Sequence, residues 1–116
     1  FGKPIAKLGK NLEVISRARI EIDAMRLMVL QAAKAMDVLG NKEARVYVSS
    51  VKAMVPEKVC LIIDQAIQMH GATGISQCSP LANMYTDMRH LRFADGPDEV
   101  HHMVVGRAEI QKYDLW

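Results

Sequence analysis

Between Ile5 and Leu39 apolar residues recur at gaps of three and four, at Leu8, Leu12, Ile15, Ala18, Ile22, Met25, Val29, Ala32, Met36 and Leu39. That period matches an α-helix and excludes a strand, so the segment reads as one long helix carrying a continuous apolar stripe. Gly9 is its only internal weakness, and LGNKE at 39–43 ends it with a glycine in the C′ position. The middle of the segment, MRLMVLQAAKAM, is apolar on more than one face, which predicts packing against several neighbours.

A second stripe follows at Val48, Val51, Val55, Val59, Ile62, Ala66 and Met69, interrupted by Pro56. An interior proline lacks its N–H and clashes with the preceding turn, so a kink or a restart is expected there. Gly71 stops this helix, GATGISQCSP reads as a loop, LANMYTDMRHL as a short third helix and RFADG as a linker. PDEVHHMVVGRAEIQKY makes a fourth helix, with Pro97 at its first position and Asp98 and Glu99 behind it, where acids favour the positive helix end. No strand pattern, internal repeat or low-complexity segment competes. The expected fold is all-α, an up-down four-helix bundle filling residues 1–116 as one domain.

Half of the 116 residues are hydrophobic, enough for one core. A net charge of +2 with scattered basic residues argues against nucleic acid as a partner. No apolar run approaches the roughly 20 residues of a transmembrane segment, and FGKPIAKLGK lacks the core of a signal peptide. Cys60 and Cys78 have no CxxC spacing, which suggests a reducing compartment and no structural zinc. The chain opens at Phe1 without a methionine and enters a helical pattern almost at once, so it reads as a piece of something larger.

His70, His90, His101 and His102 share no helical face at ligand spacing, so no metal is expected and the histidines read as bystanders. HGATG at 70–74 could bring backbone N–H groups to a phosphate, but it follows a helix rather than opening one, and a helix stop is the simpler reading. The eight methionines serve as core filler or line a pocket for a long apolar ligand. RHLRFADGPDEVHH, at 89–102, crowds acids, arginines and histidines around a Gly-Pro step. Asp98 and Glu99 have a structural role there as first-turn acids. Asp95 is left over: either it caps the helix, or it presents its carboxylate outward from the bend at Gly96.

The segment MYTDMRHLRFADGPDEVHHMVVGRAEIQKY resembles the end of an acyl-CoA dehydrogenase. DQAIQMHGATGIS resembles that family's Gln-x-x-Gly-Gly-x-Gly turn, and FGKPIAKL its Phe-Gly-Lys entry to a long helix. The three occur in the family's order and cover essentially the whole chain. RFADGPDEVH resembles the branch that carries an aspartate at the catalytic position. The resemblance implies the C-terminal four-helix bundle of a larger enzyme, inactive alone. That enzyme would perform α,β-dehydrogenation of a fatty acyl-CoA thioester by α-proton abstraction and hydride transfer to FAD.

On that resemblance Asp95 is the catalytic base, standing immediately before Gly96, and its backbone N–H also holds the thioester carbonyl. Aspartate is shorter than the usual glutamate by one methylene, so the backbone must sit closer to the substrate or catalysis is weaker. Phe1 matches an aromatic that packs on the flavin nucleotide of a neighbouring subunit. Gln68 matches a glutamine on the adenosine-diphosphate moiety, and Gly71 the first glycine of the turn. Ala72 replaces the second glycine. Glu99 replaces a frequent glutamine; it could accept from a ribose hydroxyl or an adenine amine, although its charge would repel a pyrophosphate. The resemblance further implies a homodimer or homotetramer, and an electron-transferring flavoprotein as electron acceptor. The compartment would be the mitochondrial matrix or peroxisome in a eukaryote and the cytoplasm in a bacterium, although the terminal YDLW is no peroxisomal tripeptide. Competing readings are a flavin oxidase of the same fold, similar to nitroalkane oxidase, and a non-catalytic oligomerisation bundle.

Overall fold

Gly9 and Gly40 set where the first long helix begins and where the chain turns back. The computed structural model describes residues 2–113. Ile5–Lys7 form a single 3-10 turn, and Gly9 takes a φ of 49°, so helix α1 begins at Asn11 rather than at Ile5. The helical run α1, Asn11–His70, is broken at Gly40, where φ is 81° and ψ 171°, a conformation open almost only to glycine. Its first arm, 11–39, and second arm, 41–70, lie alongside each other. Glu21 Oε1 stands 3.7 Å from Lys58 Nζ, and the two residues are almost equally far along the chain from Gly40.

The line of α1 that faces inward differs from the stripe read off the sequence. On the first arm it includes Val14, Ala18, Met25, Met28, Ala32 and Ala35, whereas Leu12, Ile15, Val29, Met36 and Leu39 are exposed. On the second arm Ala44, Ser49, Ala53, Pro56, Cys60 and Ile63 are buried, next to the expected valine line. Many of these buried residues are small, which lets the helices approach closely. Hydropathy alone favours the larger side chains beside them, because both lines share the same period. Ile20, Leu27, Leu30 and Val38 of the first arm are each more than half exposed, so the multi-faced apolar segment packs on one side only within this chain.

Pro56 neither restarts nor ends the helix. Gly40 is the one residue inside α1 with non-helical dihedrals, and Pro56 is buried within the second arm. Its missing N–H leaves the Lys52 carbonyl without the usual intrahelical donor.

At Gly71 (φ 61°, ψ −142°) the chain reverses, and the segment expected as a loop contains a one-turn helix α2, Ala72–Ile75. Gly74 makes this possible, because a Cβ there would lie 2.7 Å from the Ile67 carbonyl oxygen. Helix α3, Leu81–His90, then returns along the second arm, and α4, Asp98–Gln111, continues in the same direction. The end of α3 meets the arm at Lys52, the start of α4 meets it at Ser49, and the last turns of α4 face 43–51 across a cleft. The helices α3 and α4 therefore pack on α1 and not on each other. Pro97 has an extended ψ of 162° and is the N-cap, so Asp98 and Glu99 occupy the first two helical positions, one earlier than expected.

The architecture is thus all-α with four principal helices, the two arms of α1 together with α3 and α4, in a body of 60 × 28 × 25 Å. No helix among the described residues is long and apolar enough to cross a membrane. Cys60 is buried and Cys78 exposed, both as free thiols. Burial pushes the Cys60 thiol up, against a smaller opposing pull from Arg92 and Arg89. Iodoacetamide at pH 8 should therefore label Cys78 alone in the folded chain and both cysteines after denaturation, as read by peptide mass spectrometry. Equal labelling in the native state would contradict the packing around Cys60.

Candidate functional site

Where α3 ends and α4 begins, the chain must bridge two helices running the same way, and segment 91–97 does so as a closed loop. Arg92 Nε donates to Asp98 Oδ2 at 2.8 Å, while the Asp98 N–H donates to the Arg92 carbonyl at 3.0 Å. The loop is thus tied across its base by a charged and a neutral hydrogen bond. The hydrogen bond to Asp98 raises the already high pKa of Arg92. Asp98 is buried, and its Oδ1 has no hydrogen-bond partner among the described residues. It is therefore more than a first-turn acid.

Asp95 sits at the apex of this loop with a φ of 56°, the only described non-glycine residue in the left-handed region. Aspartate tolerates that region better than most residues. The capping alternative fails, because Pro97 is the N-cap and α4 has no side-chain cap bond. Asp95 is exposed, and neither its carboxylate nor its N–H has a hydrogen-bond partner among the described residues. The apex thus presents an unengaged acid and an unengaged amide side by side.

Beneath the apex the contacts are dense. Lys52 Nζ, from the second arm, donates to the carbonyls of Leu91 and of Gly96, the latter at 3.1 Å. The His101 ring lies between Asp95 and the arm, with Nε2 3.3 Å from the Asp95 carbonyl and Nδ1 3.4 Å from Ser49 Oγ. Gly96 has a φ of 107°, and a Cβ on it would meet His101 Nε2 at 3.1 Å. Close approach to the imidazole therefore adds to the backbone demand for glycine at this position. His101 is not the bystander expected from its spacing. The other histidines stay apart from it: the Nδ1 atoms of His70 and His90 contact carbonyls of their own helices, and His102 is exposed.

Gln68, Gly71 and Ala72 lie at the other end of the second arm, all exposed. They are 16 to 20 residues beyond Lys52, so a helical rise of 1.5 Å per residue puts them roughly 24–30 Å from the Asp95 loop. One chain does not gather them with Asp95, whereas Glu99 is exposed on the first turn of α4 beside the loop. Phe1 lies outside the described residues. At Gly71 nothing stands within 4 Å of where a Cβ would be, so the turn has room for a polar ligand approaching its backbone. That fits the nucleotide end of a cofactor such as FAD.

Sequence reasoning missed Lys52, Ser49 and Arg92. A signal existed for the first two, since a lysine and two serines interrupt the valine run VYVSSVKAMV of the second arm. Polar groups on a burying face call for partners, but their identity depends on a segment some 40 residues away.

The sequence model of the family described as "Acyl-CoA dehydrogenase, C-terminal domain" matches residues 1–110. The chain is 48% identical over 111 residues to acyl-CoA dehydrogenase family member 10 of Mus musculus, covering 96% of this chain and 10% of that protein. It is 46% identical to a Mycobacterium tuberculosis protein provisionally named acyl-CoA dehydrogenase FadE2, over 97% of this chain and 28% of that one. A solved structure from Mycobacterium abscessus, provisionally assigned as an acyl-CoA dehydrogenase, superposes with a TM-score of 0.93 at 49% identity. The match covers 97% of this chain and 28% of that one. The chain therefore spans between about a tenth and just over a quarter of the length of these relatives.

Proposed function

The chain belongs to the acyl-CoA dehydrogenase family, and from that premise we propose that residues 1–116 are the C-terminal helical domain of a larger FAD-dependent enzyme that desaturates fatty acyl-CoA thioesters, with Asp95 as its base. The observation that carries this reading is the pairing, on an exposed residue at the loop apex, of a carboxylate and a backbone N–H that both lack partners among the described residues, above the contacts of Lys52 and His101.

In this reading the Asp95 carboxylate accepts the α-proton of the thioester. The Asp95 N–H donates to the thioester carbonyl, and that bond strengthens as enolate charge develops on the oxygen. The turn at Gly71–Ala72, with Gln68, contacts the nucleotide part of FAD, which when bound supplies the hydride acceptor. Because that turn is remote from Asp95, it would serve the flavin site of a neighbouring subunit. Glu99, on the first turn of α4, would accept from a ribose hydroxyl or an adenine amine of the nucleotide. The exposed apolar face of the first arm, at Ile20, Leu27, Leu30 and Val38, supports assembly with the rest of the enzyme and with other copies in a homo-oligomer.

The full-length protein is expected to purify with bound flavin, and anaerobic addition of a fatty acyl-CoA should bleach its absorbance. The reduced enzyme should then pass electrons to an electron-transferring flavoprotein and react slowly with oxygen. Rapid oxidation by oxygen would instead assign the chain to a flavin oxidase of the same fold. A full-length protein that purifies without flavin and binds none would leave only a structural bundle.

A further inference from the structure

We propose that Lys52 and His101 are positioning residues, which fix the orientation of the Asp95–Gly96 peptide and through it the aim of the Asp95 carboxylate. This rests on the reading of Asp95 as the base. Two consecutive residues with positive φ, 56° at Asp95 and 107° at Gly96, are a conformation that the loop's own sequence does not secure. Such backbone persists only where its surroundings over-determine it.

The Arg92–Asp98 closure ties the ends of the loop but touches neither apex residue. The apex is held by groups from other elements. Lys52 joins the carbonyl on which the loop opens, at Leu91, to the carbonyl just past the base, at Gly96, so one ammonium fixes the loop's span. His101 acts on the base residue itself. A carbonyl only accepts, so Nε2 carries the proton and donates to the Asp95 carbonyl, and Nδ1 accepts from the Ser49 hydroxyl. Ser49 and Lys52 are three residues apart and share a face of the second arm, so both struts stand on one rigid helix.

The geometric consequence is specific. With its carbonyl held by His101 Nε2, Asp95 keeps an exposed side chain and an N–H that have no hydrogen-bond partner among the described residues. An aspartate reaches one methylene less far than a glutamate, so its backbone has correspondingly less freedom to drift. The packing of Gly96 against the imidazole removes the space into which the peptide would otherwise rotate.

The test uses the full-length flavoenzyme and anaerobic stopped-flow reduction by saturating acyl-CoA. Lys52→Met and His101→Phe should slow flavin reduction by about 30- to 100-fold, the cost of misplacing a reacting group by about 1 Å. Flavin content and the half-saturating acyl-CoA concentration should stay within about twofold of the parent, since neither residue makes uniform binding contacts. His101→Gln retains an N–H donor of similar reach and should recover most of the rate. Reduction by both variants at the parental rate, with Asp95→Asn inactive, would overturn the positioning role and leave the base assignment standing. Normal reduction of Asp95→Asn would remove both. If Lys52→Met does not fold, the comparison of His101→Phe with His101→Gln decides. A parental rate in His101→Phe with loss in His101→Gln would mean that the ring only fills space, and equal loss of rate in the two would mean that the N–H donor is not what positions the base; either result would overturn the proposal.

Discussion

Asp95→Asn in the full-length protein is expected to leave flavin bound and to suppress its reduction by acyl-CoA. The substitution is nearly isosteric and removes only the capacity to accept a proton, so the rate should fall by about a thousandfold or more, toward the upper end of general-base contributions. Asparagine is the appropriate probe because it tolerates a φ of 56° as readily as aspartate does, whereas alanine would add backbone strain to the lost carboxylate. Flavin content should not change. The side chain is exposed and takes part in no hydrogen bond among the described residues, so nothing structural leaves with the charge. Anaerobic bleaching at the parental rate would falsify the assignment of Asp95 as base.

Gly74→Ala should have the largest effect on stability. The added Cβ would lie 2.7 Å from the Ile67 carbonyl oxygen and 2.9 Å from its Cα, and both are backbone atoms of the second arm. Neither can rotate aside, so α2 must lift from the end of α1. Overpacking of this kind costs about 1–3 kcal/mol, which corresponds to a fall in Tm of roughly 4–12 °C for a domain of this size. A circular-dichroism melt of the 116-residue chain measures it, and flavin retention in the full-length protein should fall with it, because the Gly71–Ala72 turn leads directly into α2. Gly71→Ala meets a different cost: nothing stands within 4 Å of that Cβ, but φ 61° with ψ −142° is a conformation open almost only to glycine, so backbone strain of about 1–3 kcal/mol is expected without a clash. A parental melting temperature for Gly74→Ala would show that the close approach there is relieved without cost.

The two glycine-centred features differ in how far the sequence exposes them. Gly40 and Gly71 end helices where the periodicity ends, because a helix stop is a local property of one residue's φ and ψ. Gly74 looks like another loop glycine until Ile67 is found against it. The apolar lines on α1 show the same limit. Period 3.6 establishes that both arms are helices, but several faces of the first arm are apolar, and only the position of the second arm decides that Ala32 and Ala35 are buried while Leu30 and Val38 are not.

The base loop divides in the same way. That a helix begins near Pro97, and that Asp95 stands outside its first turn, follows from residue order and the chemistry of proline and first-turn acids, whereas the capping role still open to Asp95 is removed only by the structure, in which Pro97 is the N-cap. The proposed role of Asp95 as a base rests on resemblance to a family and not on spacing. What holds the apex was invisible along the chain, because Lys52 reaches carbonyls 39 and 44 residues away and His101 meets Ser49 across 52. The sequence by itself determined the four principal helices and the stops at Gly40 and Gly71, since dihedral preferences and periodicity act over a few residues. The tertiary structure decided which apolar face is core and which polar groups support that acid, since both depend on how the second arm of α1 meets the break between α3 and α4.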